Sequence, residues 1–216
     1  MAPPRPKENV RRARAGLYRQ LVLEAAERSF AEKGFDATKM EEIAAESGLS
    51  LGTVYSVFAG KPDLMRAVQE TRNREILALA SAAADLAAGP QGRLLAAVRA
   101  YVEFFASHPE YLQIHLRGGH AWGLAGAGSR SRSQAHAWDE GIDLYARLFE
   151  AGIAAGVLHP GDPRLLARMM IAMQQVQLAD WVERGMPEDL EGLVADVHAP
   201  LRRAFCAAPP PAQRAT

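Results

Sequence analysis

Residues 38–61 read TKMEEIAAESGLSLGTVYSVFAGK, and the placing of caps, apolar positions and glycines predicts two short helices around a tight turn. Thr38 followed by Glu41 is the pattern of a capping box, in which hydroxyl and carboxylate each satisfy the other residue's amide. Met40, Ile43 and Ala44 fall at i, i+3 and i+4, which gives the first helix one apolar face. Gly48 supplies the left-handed residue that ends it, because a Cβ is strained there. Ser50 suits the cap of the second helix, on which Val54 and Phe58 are four apart and point inward. Leu51, Gly52, Thr53, Tyr55 and Ser56 are left on the outward side, small and polar near the helix start. Two helices with this turn form a helix-turn-helix, whose second helix meets base edges with its N-terminal residues.

The chain ahead of this stretch fits the same geometry. Leu17, Leu21, Val22, Ala25, Ala26 and Phe30 form an apolar stripe closed by Gly34, the back support of the two short helices. Arg5, Lys7, Arg11, Arg12, Arg14 and Arg19 face only Glu8 in this first segment. The whole chain of 216 residues carries 25 basic and 25 acidic residues, so attraction to nucleic acid must come from such local clusters. Residues 1–13 are expected to form a basic arm without fixed structure, and residues 208–216 a disordered tail.

The run Phe30-x-x-x-Gly34-Phe35, Thr38, Ile43-Ala44, Ser47-Gly48-Leu49-Ser50 and Gly52-Thr53-Val54-Tyr55-x-x-Phe58-x-x-Lys61 resembles the signature of the tetracycline-repressor (TetR) family of regulators. The motif-bearing resemblance covers about residues 17–68; beyond it, helical layout and chain length are similar. Leu51 stands where the family often has a basic or small polar residue. Val57 stands where it often has a second aromatic residue or a histidine. The resemblance implies an all-α, nine-helix protein. Residues 14–61 would form the DNA-binding domain, and residues 62–207 an effector-binding and dimerisation domain. It implies a homodimer joined through the last two helices, on a palindromic double-stranded DNA operator, released by a small-molecule effector. The DNA-contacting set would be Arg11, Arg12, Thr38, Lys39, Ser50, Leu51, Gly52, Thr53, Tyr55, Ser56 and Lys61.

The rest of the chain supports an all-helical reading by itself. Leu and Ala dominate, β-branched residues are few, and no hairpin signal separates alternating apolar runs. Lys61-Pro62-Asp63 opens a fourth helix, with Leu64, Val68, Ile76, Leu79 and Leu86 on its apolar positions, ending near Gly89-Pro90. Leu94, Val98, Tyr101 and Phe105 mark a fifth helix, and residues 110–122 a sixth that Gly118-Gly119 interrupts. A loop over residues 124–133 and a seventh helix through Trp138, Ile142, Tyr145 and Phe149 come next. After the break at residues 159–163, Leu166, Met169, Met170, Met173 and Trp181 mark an eighth helix. Leu165 and Leu166, with Met169 and Met170, cover two adjacent faces of it, one for the subunit's own core and one for a partner. Leu190, Val194, Val197, Leu201 and Phe205 mark a ninth, with a kink expected at Pro200.

Tyr111, His115, Trp122, Trp138, Tyr145, Met169, Met173 and Trp181 combine aromatic and soft apolar side chains with a few polar tips. That mixture suits a pocket for a mid-sized, largely apolar organic ligand. Taken singly, each suits plain core better than pocket, and Gln174, Gln177 and Asp180 suit either pocket or interface. An enzyme is not expected: no nucleotide-binding glycine run or nucleophile elbow is present. His115 and His120 are five apart, off a common helix face, and imply no metal; no cofactor is implied either. Two other readings stand beside the effector-released repressor. One is an activator or architectural DNA-binding protein without an effector, and the other an all-α enzyme using His115 or His120. The single Cys206 fits a reducing compartment, and no segment is apolar enough to span a bilayer, so a cytoplasmic protein with no membrane partner is expected.

Overall fold

A computed structural model describes residues 6–117 and 132–207, with side chains over 10–117 and 138–207. Among the described residues the chain is all-α. It comprises α1 (Pro6–Ala37), α2 (Met40–Ser47), α3 (Leu51–Val57), α4 (Lys61–Leu86), α5 (Gly89–Ser107), α6 (Pro109–Arg117), α7 (Arg132–Ala154), α8 (Pro163–Glu183) and α9 (Leu190–Phe205). The first three form a small head on the start of α4; the others pack as a helical body around α5, which meets α4, α6, α7, α8 and α9.

Local chemistry sets most boundaries. Gly34 breaks the helical path of α1 with φ +80°, and Gly48 ends α2 with φ +69°, both in the region that favours glycine. Pro62 sits in the first turn of α4, where the missing N–H costs nothing. Asp63 accepts from the Ala59 amide at 3.1 Å, a bond that holds its carboxyl below the usual range. Asp162 caps α8 by accepting from Arg164 and Leu165 amides at 2.8 and 3.1 Å, and Asp189 caps α9 through the Gly192 amide at 2.8 Å. Pro200 lies inside α9, which continues unbroken to Phe205.

Several expectations need correction. α1 begins at Pro6, so residues 6–13 are helical rather than an unstructured arm. α7 begins at Arg132, two residues inside the expected loop; residues 118–131, which hold the rest of that loop with His120 and Trp122, lie outside the described residues, as does the 208–216 tail. Leu17, Leu79 and Leu86 are exposed, Leu86 at 90%. The buried stripe of α1 therefore starts near Val22, and the far end of the α4 stripe is carried by Ala80 and Ala84 instead of the leucines.

The head and body share one continuous apolar core. In the head, Val22, Ala26 and Phe30 of α1 meet Ile43, Val54 and Phe58, all fully buried or nearly so. In the body, Val98, Phe105, Leu112, Ile142, Phe149, Met170 and Leu178 are buried from four helices. The end of α9 is pinned to the α7–α8 connection by a short antiparallel bridge at Leu158 and Cys206, with His159 donating to Phe205 O at 2.9 Å.

Candidate nucleic-acid interface and ligand cavity

The second helix of the helix-turn-helix, α3, is held from both ends. The Ser50 hydroxyl accepts from the Thr53 amide at 3.1 Å and lies 2.8 Å from Thr53 Oγ1. Val54 and Phe58 anchor the inner side in the core. On the outer side Gly52 and Ser56 are exposed and Tyr55 is 48% exposed, while Thr53 and Leu51 are half-buried. Leu51 packs against the head's core. Ser56 donates to Thr53 O at 2.6 Å. The face carries hydroxyls and no charge, so cations must come from its flanks.

Those flanks are divided in a way the sequence conceals. Lys39 is exposed at the N-cap of α2, where the Glu42 carboxylate accepts its amide at 3.2 Å. Arg11 and Arg12 are exposed on the early turns of α1. Lys61 instead is turned inward: its Nζ donates to Asp36 O and Thr38 O, each at 3.0 Å, and sits 4.6 Å from the Phe35 ring centroid. It clips the α1–α2 turn to the start of α4. The Thr38 hydroxyl does not cap α2. It is 2% exposed and faces the Gly34 and Ser29 carbonyls at 2.7 and 3.1 Å. A phosphate cannot reach it, so neither the expected Thr38–Glu41 capping box nor a phosphate contact by this side chain holds.

Behind the head, α4 and α6 both grip α1. Arg72 of α4 donates to both oxygens of Glu27, at 2.9 and 3.1 Å, and to Glu75 at 2.8 Å. Arg117 of α6 donates to the Ala31 carbonyl of α1.

The same two helices wall a cavity of about 110 Å³ in the body. Tyr111 and His115 of α6 and Trp138 and Tyr145 of α7 line it, as expected from sequence. Met169, Met173 and Trp181 do not. Met169 is on the opposite, exposed side of α8. Met173 is half-buried against the core. The Trp181 indole donates to Pro187 O at 3.1 Å and closes the α8–α9 turn. In their place stand Ile76 of α4 and Tyr101 of α5, read from sequence only as helix-stripe positions, and Gln69, Asn73 and Leu77 of α4 with Gln175 of α8, which the sequence reading passed over. The polar positions of α4 and α8 within apolar stretches were the available signal.

Among the described residues, the polar groups of this cavity are amides, phenols and one imidazole. Tyr111 OH donates to Asn73 Oδ1 at 3.4 Å, and Gln175 Nε2 lies 3.2 Å from His115 Nε2. Burial pushes the hydroxyls of Tyr101, Tyr111 and Tyr145 well above the usual phenol range, which keeps them protonated. Gln175 Oε1 is buried with no partner. Neighbouring Gln174 is fully buried inside the subunit, and both its amide atoms lack a hydrogen bond. Among the described residues no cluster of three potential metal ligands occurs, and no helix is long and apolar enough to cross a membrane.

Residues 22–68 match the family model of bacterial regulatory proteins, tetR family. An uncharacterised HTH-type transcriptional regulator of Bacillus subtilis, YhgD, is 26% identical over 174 residues, which span 80% of this chain and 88% of the relative. A tetR-family regulatory protein from Rhodococcus RHA1 superposes with a TM-score of 0.72 at 27% identity, over 88% of this chain and 98% of that one. The transcriptional regulator FadR from Bacillus subtilis, solved in complex with stearoyl-CoA, superposes at 0.71 with 18% identity, over 84% of this chain and 96% of that one. The matched segment runs from the middle of α1 through the helix-turn-helix into α4, and the likeness of fold continues through the body: residues 22–68 are a DNA-binding segment of the tetR family, the described chain has the fold of tetR-family regulators, and the protein is a DNA-binding transcriptional regulator.

Proposed function

We propose that this regulator is a homodimeric repressor released from a palindromic operator by a small, largely apolar organic effector. The observation that carries the reading is the double role of α4 and α6. Each lines the cavity, through Asn73 and Ile76 or through Tyr111 and His115, and each grips α1, through Arg72 or Arg117. A molecule seated in the cavity thus bears on both attachments of the head.

In this mechanism residues 14–61 meet DNA and residues 62–207 hold the effector and the partner subunit. Tyr55, Thr53, Ser56, Leu51, Gly52 and Ser50 face the major groove, and Lys39, Arg11 and Arg12 neutralise phosphates beside it. Lys61 supports the head instead of reaching the backbone. Two recognition helices about 34–36 Å apart fit successive major grooves of one operator face. The effector binds more tightly to a state in which α4 and α6 have shifted and that spacing is lost; equal affinity for both states would shift nothing. FadR's complex with stearoyl-CoA lends support, as a protein of this fold that binds a small molecule.

The test is retention of DNA spanning the protein's own promoter, titrated with salt, with and without cell extract. Specific retention relieved by extract is expected, and Tyr55→Ala and Thr53→Ala should each weaken retention about tenfold or more while leaving the dimer intact. Unchanged retention in both variants at fixed salt would remove α3 as the reading helix. Specific retention that no extract or metabolite fraction relieves would remove the effector.

A further inference from the structure

We infer that the cavity takes an uncharged, ring-sized organic molecule that brings an O–H or N–H group to Gln175. This rests on the cavity being the effector site and adds the chemistry of what fills it.

Three observations converge. First, among the described residues the cavity lining contains no Asp, Glu, Lys or Arg. The tyrosine hydroxyls on it are held neutral by burial. A carboxylate, phosphate or ammonium placed there leaves water for described walls that offer no carboxylate, ammonium or guanidinium partner, which is strongly unfavourable. Second, Gln175 is 1% exposed and lines the cavity, and its Oε1 has no partner. The amide nitrogen faces His115 Nε2 at 3.2 Å, and the carbonyl oxygen is left to accept. A buried acceptor without a donor is destabilising until something supplies one. Third, about 110 Å³ is of the order of the roughly 150 Å³ engineered cavity that holds a benzene ring. Phe105 and Tyr111, which stack with centroids 5.8 Å apart, line it together with Trp138. These walls favour a flat or ring-shaped guest through offset and edge-to-face contacts.

A matched series on one ring tests this on the full-length protein: benzyl alcohol, toluene, benzoate and benzylammonium at pH 7, by calorimetry and ligand-observed NMR. Benzyl alcohol should bind about tenfold more tightly than toluene, as one neutral hydrogen bond gives, and at least a hundredfold more tightly than either ion. Gln175→Leu should erase the gap between alcohol and toluene. Gln175→Glu should raise benzylammonium binding, a gain that misfolding cannot mimic. Benzoate or benzylammonium equal to the alcohol, toluene equal to the alcohol, or no binding across the series up to solubility would each overturn the proposal. The operator complex distinguishes the two readings. If the alcohol binds in this pattern and DNA stays bound at saturation, effector release fails and the cavity chemistry stands. If stearoyl-CoA or another charged molecule releases DNA while the alcohol does not bind, effector release stands and this proposal fails.

Discussion

Arg72 on α4 holds Glu27 on α1 through two parallel N–H···O bonds of 2.9 and 3.1 Å, with little solvent around either side chain. Bidentate geometry makes this a directional link between the long helix and the head. Glu27→Gln removes the countercharge and leaves Arg72 with Glu75, which is more exposed. The expected loss is about 1–3 kcal/mol of stability, below that of a fully buried pair because Glu75 and water remain. The double variant Glu27→Leu/Arg72→Met should regain most of it, yet transmit ligand binding to DNA less well. Urea unfolding of the three proteins checks the first part and operator release checks the second.

Lys39 and Lys61 are alike in sequence and differ in task. Lys61 Nζ has two backbone carbonyls and an aromatic face, so Lys61→Met should cost about 1–2 kcal/mol of stability through those lost bonds. Lys39→Ala, at an exposed N-cap, should leave the melting temperature within a degree or so. It should lower the slope of log K against log salt by about 0.9 for its one phosphate. The reverse pattern in unfolding and salt titration would exchange the roles assigned to the two lysines.

This contrast marks how much was legible in the chain. The helix-turn-helix was, because Gly48, Ser50, Val54 and Phe58 act within a few residues of themselves, and local rules suffice for caps and faces. Thr38 was misassigned for an equally physical reason. Its hydroxyl had a choice between the α2 amides and the Ser29 and Gly34 carbonyls, and only the folded path of α1 past Gly34 decides it. The cavity was half legible. Aromatic residues on α6 and α7 announced it, whereas Asn73 and Gln175 entered through the rotation of α4 and α8, which a single-helix pattern leaves undetermined. The second apolar face of α8 was legible from Leu165 and Met169, since too many apolar positions for one core-facing stripe need a second surface.

His198 donates from Nε2 to Leu95 O at 3.1 Å and ties α9 to α5. Burial pushes its pKa below the ordinary imidazole value; the nearby Arg202 and Arg99 charges act the same way, and the Leu95 bond opposes them. With the folded value depressed, the unfolded chain takes up the proton first on acidification. The stability contributed is therefore fully present above about pH 6.5 and falls as pH drops through the histidine range. Thermal midpoints at pH 7.5 and 5.5 should differ less in His198→Gln than in the parent. An equal difference in both proteins would exclude His198 as a source of the acid sensitivity.

Gly152 on α7 faces Leu158, and a Cβ added there overlaps Leu158 Cδ1 and Cγ. Leu158 is buried, and its amide and that of Val157 both donate to Gly152 O, at 3.2 and 3.0 Å, so neither partner has room to retreat. Gly152→Ala should cost about 1–3 kcal/mol by overpacking, although alanine is the better helix former. Gly141→Ala on the same helix meets nothing within 4 Å and should be neutral or stabilising by up to about 1 kcal/mol. Chemical unfolding of this pair separates crowding from helix propensity.

Leu165, Met169 and Val176 are 56%, 48% and 45% exposed along one side of α8, with Ala172 between them at a 4-3-4 spacing. Ala195 and Ala199 are exposed four apart on α9, small enough for a second pair of helices to approach closely. A seam with this spacing is what two antiparallel helix pairs bury between them, and in a two-fold interface every substitution acts twice. Val176→Glu therefore places two like charges near the axis of the proposed dimer. It should yield a monomer near 23.4 kDa in sedimentation equilibrium, with an undiminished melting temperature at low concentration because residue 176 points away from the subunit core. Operator affinity should fall by about a hundredfold or more, since each monomer meets one half-site and loses the advantage of tethered binding. A variant that remains dimeric would move the interface off α8. A monomer that kept full operator affinity would show that the two half-sites act independently.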